Sequence, residues 1–287
     1  MNALDETFLR SLDQFEIAVA RLRAGAADGG RRAGRRGGRV EFSEHRPYSA
    51  GDDVRTIDWS AEARTGRLYV KEFERDEDLD VVLVVDASAS MSTAGKFESA
   101  QRLAYALGWI ALRAGGRVRV AVAPSGALAV GDEATGPVAA ARLRAALLRI
   151  APGGTTQLSA SLARVPVAGR GTRLVILLSD LLAEDDGRRA LTTLAERGDD
   201  VVVLHVRAAA DLAAGDDEAV LLEDAETGER VAPDVHASER ARAFAVRNEE
   251  DWRAFAARHG VRYVPVDAAA PLDATAVRAL RAAGVLT

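Results

Sequence analysis

Cysteine is absent from this chain of 287 residues, so disulfides, thiol catalysis and cysteine-held zinc are all excluded. No stretch approaches the roughly 20 consecutive apolar residues needed to span a bilayer. The opening segment MNALDETFLRSLDQ carries acids early and has no apolar core, unlike a signal peptide. A cytoplasmic location is the expectation, by elimination. Lysine is nearly missing, with arginine in its place, a bias of the kind GC-rich bacterial coding produces. A G-x-S-x-G elbow, a Walker A loop and a G-x-G-x-x-G turn after a strand are absent too. The four histidines, His45, His205, His236 and His259, are scattered without metal-ligand spacing and none pairs with a serine. The net charge of −5 argues against a polyanion binder by charge alone.

What is present is ordinary for a soluble globular protein: 48% hydrophobic and 28% charged residues. The length suits one large α/β domain or a domain with an appendage. Residues 5 to 24 space Phe8, Leu9, Leu12, Phe15, Ile17, Val19 and Leu22 roughly as a helix does. Residues 25 to 39 are Gly- and Arg-rich and read as a loop, and residues 40 to 75 as short strands and turns. From about residue 78 the pattern changes. Leu79 to Val85, residues 117 to 123, 173 to 179, 200 to 206 and 261 to 265 read as strands, with a short one at 127 to 130. Helical stretches alternate with them at 97 to 114, 136 to 150, 157 to 164, 187 to 197, 238 to 259 and 272 to 283. Ser238 is the candidate N-cap of the longest. Such alternation predicts a doubly wound, mostly parallel sheet covered by helices on both faces. The division expected is residues 1–77, an N-terminal helix with a small irregular and β extension, and residues 78–287, the α/β domain, with a hairpin inserted at about 208–236.

Asp86 ends the first buried strand, where doubly wound sheets place their ligands. With Ser88 and Ser90 it forms a D-x-S-x-S loop that offers one carboxylate and two hydroxyls. These hard oxygen donors suit Mg²⁺ or Mn²⁺. Gly153-Gly154-Thr155-Thr156 lies between two helices and can bring a threonine hydroxyl, that of Thr155, to the same face. Asp180 ends the strand at 173–179 and falls beside Asp86 if the two strands are neighbours. An ion held mainly by hydroxyls is under-neutralised and attracts a carboxylate from outside.

In this order, Asp86, Ser88, Ser90, Thr155 and Asp180 resemble the metal-ion-dependent adhesion site of von Willebrand factor A domains. That family's fold is doubly wound α/β, and its metal typically binds an acidic side chain of a partner. A second resemblance lies upstream. Gly38-Arg39-Val40-Glu41-Phe42, Arg46-Pro47-Tyr48, Gly51-Asp52-Asp53, Arg55-Thr56-Ile57-Asp58-Trp59-Ser60, Ala63-Arg64 and Leu68-Tyr69-Val70-Lys71 are similar to the family called domain of unknown function 58, in which this block precedes a von Willebrand A-like domain. Within the block, Asp52, Asp53, Arg55 and Asp58 would form an ion-pair network with Arg46 and Arg64. Tyr48 and Trp59 are expected as packing anchors. Many members carry transmembrane helices ahead of it; this chain resembles the shorter form, and direct membrane insertion is not expected.

The resemblance implies a non-enzymatic, metal-dependent interaction module. Its implied partner is a MoxR-type AAA+ ATPase, which it would link to a client protein during assembly or maturation. Two rival readings remain at this level. One is a metal-dependent hydrolase or phosphatase using Asp86, although phosphotransfer enzymes of that kind need a second aspartate where Ser88 stands. The other is nucleic-acid binding through the Arg-rich loop 31–39, which lacks interleaved aromatics.

Overall fold

The computed structural model describes residues 9–10, 12–18, 41–47, 59–74, 79–123, 129–130, 134–135, 139–155, 157–166, 173–183, 187–208, 222–223, 230–231, 237–270 and 276–287. In chain order the elements are β1 (Glu41–Pro47), α1 (Trp59–Thr65), β2 (Tyr69–Glu74), β3 (Asp80–Asp86), α2 (Lys96–Arg113), β4 (Arg117–Ala123), β5 (Ala129–Val130), β6 (Ala134–Thr135), α3 (Ala139–Leu148), α4 (Leu158–Ala163), β7 (Arg173–Ser179), α5 (Arg188–Glu196), β8 (Asp200–Arg207), β9 (Leu222–Glu223), β10 (Arg230–Val231), α6 (Ala237–His259), β11 (Arg262–Asp267) and α7 (Val277–Ala282).

The central sheet runs β11-β8-β7-β3-β4-β5. Its five long strands are parallel, while β5 and β6 pair with β4 antiparallel at one edge. This is the doubly wound, mostly parallel sheet that the alternating pattern predicts. Every residue of β3 and β7 is buried. A strand covered on both faces must be apolar at successive positions, because its side chains alternate between two cores. Val81, Leu83 and Val85 enter one core with Phe97, Leu103 and Leu107 of α2, Leu143 and Leu147 of α3, and Leu280 of α7. Val82 and Val84 enter the other with Leu158 and Leu162 of α4, Leu191 and Leu194 of α5, and Trp252 of α6.

The edge of the sheet at which the strands begin is fixed by charge. Arg173 opens β7 and is 1% exposed. Its Nε and Nη2 donate to the two carboxylate oxygens of Asp199 at 3.0 and 2.7 Å, and its Nη1 donates to the Pro166 carbonyl. Arg197 Nε donates to the same carboxylate at 2.9 Å. A buried charge needs such complete pairing.

The N-terminal segment differs from its sequence pattern. Of the helix expected over 5–24, the described residues 9, 10 and 12 are helical, whereas residues 15–18 are not. Ile17 bridges Leu286 antiparallel; Ala18 N–H donates to the Val285 carbonyl at 2.8 Å and Thr287 N–H to the Glu16 carbonyl at 2.9 Å. Around Ile17 the backbone instead finds its partners in an isolated bridge to the last residues of the chain, and Ile17 is buried there. The long helix α6 begins at Ala237, so Ser238 lies inside its first turn rather than at the cap.

β1 and β2 pair antiparallel with α1 between them in the chain. Here another expectation fails. Trp59 is 63% exposed and anchors nothing, whereas Ala61 is buried. Two residues apart on a helix point to opposite sides, so burying Ala61 turns Trp59 outward. Tyr48, Asp52, Asp53, Arg55 and Asp58, as well as the Arg-rich loop 31–39, lie outside the described residues. A small antiparallel pair joins β9 to β10. No helix among the described residues is long and apolar enough to cross a membrane.

Candidate metal centre

After β3 the chain adds β4 on one side, then returns to place β7 on the other. The crevice at the carboxyl ends of β3 and β7 is therefore where strand order reverses, the position at which doubly wound sheets bind ligands. Parallel register pairs Val85 with Leu178, so Asp86 stands level with Ser179 and Asp180 lies one residue beyond. Asp86 is fully buried. Its Oδ1 accepts the Ser88 N–H at 2.9 Å, a local turn that aspartate makes readily, and its Oδ2 accepts the Ser179 hydroxyl at 2.5 Å. The hydroxyls of Ser88 and Ser90 are 3.0 Å apart.

The Gly153-Gly154 segment is stitched to this loop. Gly153 N–H donates to the Ala87 carbonyl at 2.8 Å, and Ala89 N–H donates to the Gly154 carbonyl at 2.9 Å. Gly154 has φ 75°, a conformation that costs other residues free energy. Thr155 follows directly and is exposed. The fold thus gathers Asp86, Ser88, Ser90 and Asp180 at one crevice and ties the segment leading into Thr155 to the same loop. Thr156 is outside the described residues.

All these donors are oxygens. Among the described residues, no three His, Cys, Asp or Glu side chains form a metal-holding group. An ion here would draw most of its shell from hydroxyls and water. Magnesium and manganese accept that arrangement; softer ions prefer nitrogen or sulfur. The donor chemistry therefore fits a small hard divalent cation held by Asp86, Ser88 and Ser90, with Thr155 and Asp180 at its margin.

Two charged or titratable side chains at this crevice are invisible to the sequence reading. Lys96, the first residue of α2, is 1% exposed, and its Nζ donates to Asp180 Oδ2 at 2.7 Å. Asp180 is equally buried, and its Oδ1 accepts the Leu182 N–H at 3.3 Å. Ala94 (φ 51°) and Gly95 (φ 73°) form the left-handed turn immediately ahead of Lys96. A signal for Lys96 existed: lysine occurs only at positions 71 and 96 of a chain that otherwise uses arginine. A coding bias accounts for the scarcity of lysine but not for a lysine sealed inside the domain.

The second is His205, at the end of β8. Its Nδ1 lies 2.5 Å from the Tyr263 hydroxyl. Burial pushes its pKa down to about 4, helped by Arg207 and opposed by Asp180 and Glu249. Burial also raises the Tyr263 hydroxyl above its ordinary value. His205 is thus neutral at pH 7. An unfolded histidine binds its proton near pH 6.5, so between there and pH 4 the unfolded chain holds more protons and stability falls as pH falls. His205 should account for about 2 kcal/mol of lost stability between pH 7 and pH 5. Denaturant melts of wild type and His205→Gln at both pH values check this. A wild-type pH slope equal to that of the variant would refute it.

The family described as "Protein of unknown function DUF58" matches residues 44–255. The chain belongs to the DUF58 family. That match takes in β1 through most of α6, and so includes every residue of the candidate centre. Three relatives described as uncharacterized proteins, one from Mycobacterium bovis and two from strains of Mycobacterium tuberculosis, are each 29% identical over 195 residues, covering 66% of this DUF58 chain. The chain spans only 61% of the length of those relatives. Among solved structures, an aerotolerance-related membrane protein from Bacteroides fragilis aligns with TM-score 0.42 at 17% identity, covering 72% of this chain and 98% of its own. A von Willebrand factor type A protein from Catenulispora acidiphila aligns with TM-score 0.32 at 17% identity, covering 61% and 43%. Manganese-loaded TRAP protein from Plasmodium vivax aligns with TM-score 0.34 at 19% identity, covering 45% and 57%.

Proposed function

We propose that this DUF58 protein is a non-enzymatic interaction module that captures a partner's aspartate or glutamate as a ligand of Mg²⁺ or Mn²⁺. Asp86, Ser88 and Ser90 would hold the ion, with the hydroxyl of Thr155 and, through water, the carboxylate of Asp180. The bound ion supplies an electrophile for an outside carboxylate. The single observation that carries the reading is the geometry of Asp86: sealed at the switch point of the sheet, fixed by Ser88 and Ser179, and set on one loop with the paired hydroxyls of Ser88 and Ser90.

The family resemblance supports a MoxR-type AAA+ ATPase as partner, with the module connecting it to a client during assembly or maturation, and cytoplasm as the compartment in which an ATP-driven partner works. The hydrolase reading has less support. Ser88 occupies the place where phosphotransfer chemistry on Asp86 needs a second carboxylate, and its hydroxyl engages Ser90 instead.

The test is co-purification of the full chain with a MoxR-type ATPase, in Mg²⁺ and in chelator. Association that weakens at least tenfold in chelator and returns on adding Mg²⁺ is the expected result. Equal association in both sinks the metal bridge.

A further inference from the structure

Lys96 is a buried charge at the crevice whose presence the metal reading does not require. A lysine sealed at 1% exposure beside an equally sealed aspartate is costly to build, because both ions lose their hydration. It also competes with any ion for the same carboxylate. Asp180 already spends Oδ2 on the Lys96 ammonium and Oδ1 on the Leu182 N–H. Its charge is met before a metal arrives.

Counting the buried charges of the crevice shows what this achieves. Asp86 and Asp180 contribute two negative charges and Lys96 one positive. With a divalent ion added the crevice carries a net charge of plus one. In a poorly hydrated site that surplus is strongly felt, and one carboxylate from outside cancels it. Without Lys96 the loaded crevice would already be neutral and would have no charge left to offer a partner.

We infer that Lys96 is a positioning residue that holds Asp180 away from direct contact with a bound ion and so reserves the ion's charge for a partner's carboxylate. This inference rests on the metal-bridge reading above and adds to it the residue that keeps the bridge open. The recognised chemistry is a side-chain carboxylate, with no preference implied for the rest of the partner.

Mn²⁺ alone is a sufficient probe on the full-length chain. Its paramagnetism reports both affinity, through the free-ion signal, and the number of coordinated waters, through proton relaxation. In Lys96→Met, Asp180 loses its ammonium and should turn to the ion. Mn²⁺ should then bind at least tenfold more tightly, with one fewer coordinated water, and should raise the melting temperature of the variant more than that of wild type. Because Lys96→Met strands a buried carboxylate, the double variant Lys96→Met/Asp180→Asn provides a second arm in which neither charge remains. It should bind Mn²⁺ within about threefold of wild type, since Asp180 contributes no direct ligand there.

Unchanged or weaker Mn²⁺ binding in a folded Lys96→Met overturns the role of Lys96 and leaves the metal bridge standing. A tenfold or greater loss in the double variant overturns it as well, because Asp180 would then be a direct ligand in wild type. If wild type itself binds no Mn²⁺, the metal bridge fails and the role of Lys96 fails with it.

Discussion

Asp86→Asn should lower Mg²⁺ affinity by at least a hundredfold while costing the fold about 1 kcal/mol. The asparagine keeps the oxygen that accepts the Ser88 N–H at 2.9 Å, and its amide replaces the oxygen that accepts the Ser179 hydroxyl. That hydroxyl can rotate and accept from the amide, so the loop keeps its shape. What is lost is the charge, and with it the strongest ligand in a set otherwise made of hydroxyls and water. Asp86→Ala removes both acceptors. It leaves a buried N–H and a buried hydroxyl without their partner, each worth about 1–3 kcal/mol, and so confounds binding with folding. Titration calorimetry with Mg²⁺ on wild type and Asp86→Asn, with denaturant melts alongside, separates the two effects. Equal Mg²⁺ affinity in the two proteins would remove Asp86 from the ligand set.

The second large effect lies at the other edge of the sheet. Asp199→Ala should destabilise the domain by about 3–5 kcal/mol, the cost of breaking a buried ion pair from one side. Arg173 is 1% exposed and places two of its nitrogens on that carboxylate, and Arg197 adds a third bond. With Asp199 gone, two cations face each other, one of them cut off from water. Asp199→Asn keeps an acceptor and should cost less than alanine. Denaturant unfolding measures both variants, and a loss below about 1.5 kcal/mol for Asp199→Ala would mean that water reaches Arg173. Asp199 precedes β8, at the end of the sheet remote from Asp86. The Mg²⁺ affinity of the folded variant should therefore stay at the wild-type value, which makes it a control for Asp86→Asn.

The sheet was legible because strands buried on both faces must be apolar at successive positions, and Val81 to Val85 and Leu174 to Leu178 are. Those runs also fixed where Asp86 and Asp180 fall, since Asp86 directly follows the first run and Asp180 comes one residue after the second stops at Ser179. The neighbourhood of the two strands was a conditional expectation, and the β3–β7 register meets it. Other features could not be read locally. The helix expected over 5–24 does not continue through residues 15–18, because Ile17 pairs with Leu286, which is 269 positions away by their own numbers. Trp59 reads as an anchor by residue type, but the face that α1 buries is chosen by Ala61. Lys96 looks like a solvated charge at the start of a helix. Only the fold reveals that the Ala94-Gly95 turn carries it to Asp180. His205 looks like one of four scattered histidines, and only strand order brings it to the crevice.

The hydroxyl bond from Ser179 to Asp86 joins residues 93 positions apart. It closes only when β7 returns past β4 and α2 to lie against β3, one of the long loops whose entropy slows the folding of parallel sheets. The D-x-S-x-S loop and the Gly153-Gly154 segment make their own bonds, but the Ser179 hydroxyl and the Asp180 carboxylate reach the crevice only when that loop has closed. In kinetic terms, competence to bind is acquired no earlier than the pairing of the two central strands, and a chain interrupted before residue 179 carries the motif without the site.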